Sequence, residues 1–122
     1  MEMEEFEATV RACLAGIPEK FRTILEKEQI QVIPREKAPQ AVEEKFPSSY
    51  VFGVFAGVPY GKRKASIVQY EPTRIELYKE TFERVFGNRN ESKVRDQIAR
   101  TVIHEIAHYF GYSEKAIRDR GY

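Results

Sequence analysis

The stretch that decides the reading is Glu91-Ser92-Lys93-Val94-Arg95-Asp96-Gln97-Ile98-Ala99-Arg100-Thr101-Val102-Ile103-His104-Glu105-Ile106-Ala107-His108-Tyr109-Phe110. Turned at about 100° per residue, it spreads Val94, Ile98, Ala99, Val102, Ile103, Ile106, Ala107 and Phe110 over more than half the circumference of a helix. Such a helix is mostly buried. The remaining polar stripe holds Lys93, Gln97, Arg100, Thr101, His104 and His108, with Glu105 at its border.

His104 and His108 are the only two histidines in the chain. Positions i and i+4 lie one above the other on a helix, so both imidazoles can reach one ion at about 2.0–2.1 Å. Glu105, between them in sequence, then lies beside the open coordination position. Spacing, residue type and order follow the His-Glu-x-x-His pattern of zinc hydrolases. Two plainer readings compete with it: core histidines satisfied by neighbours, and solvated surface residues. The first fits less well, because both histidines fall off the apolar arc and share one face.

A catalytic zinc usually has three protein ligands and leaves its fourth position to water. Gly111 can take the left-handed conformation that ends the helix and turns the chain back, so that Glu114 faces the metal. Asp119 is the reserve ligand. Glu114 also has a purely structural reading: Ser113 as the N-cap of a short final helix, with Glu114 a first-turn acid paired to Arg118. Glu105 is expected to accept a proton from the metal-bound water. An oxyanion donor would be a basic side chain or one of Tyr60, Tyr78, Tyr109 and Tyr112.

The rest of the chain frames this helix. Residues 3–15 place Phe6, Val10, Cys13 and Leu14 at helical spacing, with acids at the positive end of the dipole and Gly16 as a stop. A second helix follows from Pro18 to about Glu28. Ile30, Val32 and Ile33 predict a short strand cut off by Pro34. Residues 35–50 are polar, contain Pro39 and Pro47, and read as a long connection with weak helical periodicity at 41–46. Strands are expected at 51–56, interrupted by Gly53, at 66–69, and at 73–78. Residues 79–86 look helical, and the break at 87–90 precedes the motif helix. This order is not an alternating βαβ pattern, so the expected fold is α+β: a small mixed sheet packed with helices, the motif on a central buried helix.

Length and composition bound what such a chain can do. Its 122 residues suit one domain over 1–122, too short for the second lobe that often forms the far wall of a peptidase cleft. A formal net charge of +1 supplies no global field for nucleic acid or membrane. The basic run Lys62-Arg63-Lys64 and the bases Lys93, Arg95, Arg100, Lys115, Arg118 and Arg120 are interspersed with acids and read as solvated surface. The single Cys13 excludes an internal disulfide framework and suits core packing. Glu2, Glu4, Glu5 and Glu7 precede the first basic residue, Arg11, which is the opposite of a targeting peptide, and no apolar run reaches membrane-spanning length. A cytoplasmic monomer with neither a nucleic-acid nor a membrane partner is therefore expected.

With residues 104–114 in view, the chain resembles the small bacterial zincin-like metallopeptidases, a minimal family. The likeness extends to Glu5-Phe6-Glu7, Ile17-Pro18-Glu19, the run from Phe52 to Pro59, and Ile75-Glu76-Leu77-Tyr78. It implies a zincin-like fold, one Zn2+ held by His104 and His108, Glu105 as catalytic acid/base, and a peptide or protein substrate. The family's third ligand position, usually Asp, matches Glu114, one methylene longer. No methionine follows Met3, so the Met-turn of larger relatives is missing. Two functions result: a zinc-dependent metallopeptidase whose substrate pairs with a strand edge at 51–56 or 73–78, or a non-catalytic domain of peptidase ancestry, stapled by metal and acting as a protein-interaction module.

Overall fold

A computed structural model describes residues 1–46, 51–57, 73–87 and 90–122. Helices α1 (Met3–Gly16) and α2 (Glu19–Lys27) lead into strand β1 (Gln31–Arg35), helix α3 (Gln40–Lys45), strands β2 (Gly53–Ala56) and β3 (Arg74–Tyr78), and helices α4 (Lys79–Phe86), α5 (Glu91–Tyr109) and α6 (Glu114–Asp119). The weak periodicity at 41–46 resolves into α3, a short helix with no buried residue. The strand expected at 66–69 and the basic run at 62–64 lie outside the described residues.

The sheet is mixed and ordered β1-β3-β2, with β1 parallel and β2 antiparallel to β3. β3 is therefore central, and its residues Ile75, Glu76, Leu77 and Tyr78 are all buried. This removes 73–78 as an edge for a substrate, since both sides of that strand are already paired. Among the described residues β2 has one neighbour and keeps a free side.

Pro34 does not end β1; it lies inside the strand, in register with Leu77. The amide of Gln31 donates to the Thr73 carbonyl at 3.3 Å, so in a parallel ladder Ile33 and Arg35 also face β3 while Val32 and Pro34 face away. The N–H that proline lacks thus falls on the side of β1 where, among the described residues, no strand pairs and no ladder bond is lost.

Phe6, Val10, Ile75, Leu77, Phe82, Val94, Ile98, Val102 and Ile106 form the centre of the core. α5 supplies the most of these and packs against α1, α2, α4, α6, β2 and β3. Cys13 packs against the edge of this cluster, its thiol 3.6 Å from the Arg95 carbonyl and pushed up in pKa by burial. Beneath β3, burial raises the Glu76 carboxyl, but hydrogen bonds from Arg74 at 2.7 Å and Arg35 at 3.3 Å outweigh it and hold the group below its usual value. Among the described residues no helix is long and apolar enough to cross a membrane.

One departure from the helical-wheel reading positions the site. Thr101, assigned to the polar stripe, is buried because β2 lies over it. Gly53 permits that approach: a Cβ there would stand 2.4 Å from the Glu76 carbonyl oxygen, 3.0 Å from Leu77 Cδ2 and 3.3 Å from Thr101 Cγ2. Gly53→Ala should accordingly destabilise the fold by about 1–3 kcal/mol through overpacking against backbone that cannot swing aside. Urea denaturation checks this, with unchanged stability refuting the crowding.

Candidate metal centre

The C-terminal half of α5 carries the motif. His104 is half-buried with its side chain 17 % exposed, Glu105 lies at 19 %, and His108 at 38 %. The helix ends in a paired turn. Gly111, at φ +89°, donates to the His108 carbonyl at 2.9 Å, and Tyr112 donates to the Ala107 carbonyl at 3.0 Å. That arrangement needs a left-handed residue just past the cap, which glycine adopts without a Cβ penalty. Ser113 then starts α6 by accepting from the Ala116 amide at 3.2 Å.

This turn sends Glu114 back over the motif. Its Oε1 lies 2.8 Å from His108 Nε2, and its Oε2 lies 3.2 Å from His104 Nδ1. Glu114 is thus a first-turn acid of a capped helix, as one sequence reading has it, and its carboxylate pairs with the two imidazoles. Asp119, at the other end of α6, pairs with neither ring among the described residues. His104 is oriented from its far side, where Nε2–H donates to the main-chain oxygen of Tyr122 at 2.9 Å, directing Nδ1 toward Glu114. Tyr122 is itself held edge-on against Phe21, with ring centroids 5.2 Å apart.

Glu105 sits on the β2 side of the pair, with one carboxylate oxygen 3.9 Å from His108 Nδ1. Burial pushes its pKa up, and the neighbouring His108 and a hydrogen bond from the Phe55 backbone only partly offset this. Sequence reasoning missed the Phe55 amide and the Tyr122 oxygen. Both are main-chain atoms brought in by tertiary packing, and no residue type announces them.

The tyrosines sort themselves by environment. Tyr78 is fully buried, with its hydroxyl 3.4 Å from Glu76, and its pKa is raised chiefly by that burial. Tyr109 is buried, packs on Phe55 and donates to Glu28 at 3.2 Å. Tyr112 is 39 % exposed, with the Arg120 guanidinium 4.3 Å from its ring centre. Tyr60 lies outside the described residues.

In kind the donors suit zinc, since two imidazoles and one carboxylate are a set that a catalytic zinc takes. Among the described residues no group of three or more His, Cys, Asp or Glu side chains is spaced to enclose an ion; the Glu114 carboxylate instead pairs directly with both rings. A model of the zincin-like metallopeptidase family matches residues 27–122. The chain belongs to that family. Membership implies zinc binding and a peptide substrate. No curated protein matches the chain.

The raised pKa of Glu105 has a consequence for stability. A carboxyl whose folded value lies above its unfolded value of 4.5 holds its proton longer in the folded state. In the metal-free protein Glu105 therefore subtracts stability as pH rises above 4.5, until the folded group has also ionised, against the opposite contribution of Glu76 and Glu83, whose values are lowered. Glu105→Gln should remove that loss, leaving a metal-free variant more stable than wild type at pH 7 but not at pH 3. Chemical denaturation at the two pH values checks this, and a wild-type advantage at pH 7 would refute it.

Proposed function

We propose that the protein is a zinc-dependent metallopeptidase binding one ion per chain through His104, His108 and Glu114, with Glu105 as the general base. The observation carrying this reading is the convergence of the Glu114 carboxylate on both imidazoles, with a half-buried acid of raised pKa beside them. Zinc bound by this set would supply Lewis-acid polarisation of the scissile carbonyl and acidify a water at neutral pH.

The chain's own residues then have distinct tasks. Glu105 takes a proton from the attacking water on a carboxylate oxygen and delivers it to the departing amide nitrogen as the C–N bond breaks. Its elevated pKa brings it closer to the working range for both steps. The Phe55 amide holds the carboxylate in place, and the Tyr122 oxygen holds the His104 ring. The side of β2 left unpaired among the described residues is the edge along which an extended peptide would add as a strand, its carbonyl led toward Glu105. Residues 1–122 act as one domain in this reading.

One feature favours a second reading. Glu114 already ties α6 to α5, so the same ligand set could serve as a staple for an interaction module. X-ray absorption separates the two: a sphere closed by four protein ligands supports the staple, and an oxygen from water supports catalysis.

Glu105→Gln should retain stoichiometric zinc while lowering kcat/KM on cleaved peptides about 100- to 10,000-fold. Undiminished turnover in that variant removes Glu105 from the mechanism. Glu114→Ala should weaken zinc by more than the roughly 10–100-fold that loss of an outer-shell partner costs. It should also speed amide exchange in α6; unchanged affinity measured with a chelator would remove Glu114 from the ligand set.

A further inference from the structure

Beside Glu105 and His108 a cleft of about 500 Å3 opens between α5, β2 and the end of α3. Among the described residues its lining combines polar Thr101, Glu105 and His108 with apolar side chains that include Phe46, Val51 and Val54. Phe46 is 41 % exposed, a large apolar ring left facing solvent at the cleft. The exposed Lys45 lies next to it, with Nζ 5.6 Å from the ring centre, and no other Lys or Arg lines the cleft among the described residues. An open, partly apolar cleft with one exposed cation at its edge, next to a carboxylate and an imidazole, has the character of a side-chain subsite.

We propose that this cleft selects peptides carrying an aromatic or long aliphatic residue next to an Asp or Glu. The apolar side chain lies against Phe46, Val51 and Val54, and the acid meets Lys45. A basic residue at the second position is rejected by like charge, and a small polar one leaves the Phe46 wall uncovered. Specificity thus comes from the end of α3 and from Val51 and Val54 at β2. The inference rests on the peptidase reading for the role of the cleft, but its recognition step can be measured without turnover.

The test uses zinc-loaded full-length Glu105→Gln protein and three fluorescently labelled hexapeptides that differ only in a central Asp-Phe, Lys-Phe or Asp-Gly pair. The Asp-Phe peptide should bind about tenfold more tightly than either of the others. Lys45→Glu in the same background should reverse the preference between Asp-Phe and Lys-Phe. Phe46→Ala should level Asp-Phe with Asp-Gly; both positions are exposed, so folding is not at stake. Equal affinity for the three peptides, absence of binding, or ratios indifferent to both variants would overturn the assignment. Wild-type digestion of the same peptides separates the two claims. Cleavage without the preference defeats the subsite alone, and the binding preference without cleavage defeats the hydrolase reading while the subsite stands.

Discussion

The absence of a side chain at position 53 governs how the sheet meets the motif helix. Any Cβ there would collide with the Glu76 carbonyl, and because Gly53 has none, β2 settles onto both β3 and Thr101 of α5. That contact carries the Phe55 amide to Glu105 and makes one wall of the cleft beside it. Interiors are close-packed, so a strand displaced by even a few tenths of an ångström would lose several of these relations together.

The site is built at the expense of local stability. Glu105 is carried into a half-buried position that raises its pKa, and Glu114 is held over two rings by a turn that depends on a left-handed glycine. Elsewhere, among the described residues, the buried charges Glu76 and Lys79 are paired. Glu76 has two arginines, and Lys79 has Glu36 at 2.9 Å and Glu83 at 2.8 Å. Glu76 under the sheet is thus fully offset by its partners, whereas Glu105 on the helix is offset only in part, and such a perturbed carboxyl is a functional-site candidate.

The two ends of α5 also differ. Toward its N-terminus the helix is anchored in the core by Val94 and Ile98, while its exposed side carries an ordinary ion pair, Arg95 to Glu91 at 3.2 Å. Toward its C-terminus the apolar face persists in Val102 and Ile106, and the opposite face gathers His104, Glu105 and His108. A rigid, well-packed stem thus presents a polar tip, which keeps ionisable side chains in place without burying them fully.

By itself the sequence determined the long helix, the shared face of its two histidines, the left-handed turn at Gly111, the cap at Ser113 and the α+β order. Each follows from chemistry within a few residues: a 3.6-residue period, a missing Cβ, a hydroxyl three positions from an amide. The helical wheel puts Thr101 with the solvent-facing residues, and local pattern makes Pro34 a stop, because neither a covering strand nor the sheet position of β1 is visible within a few residues. Only the tertiary structure decided that β3 is central and that β2 has one neighbour among the described residues, that Glu114 rather than Asp119 reaches the imidazoles, and that main-chain atoms of Phe55 and Tyr122 steady the site. Those relations join residues far apart in the chain, through backbone groups that every residue carries alike.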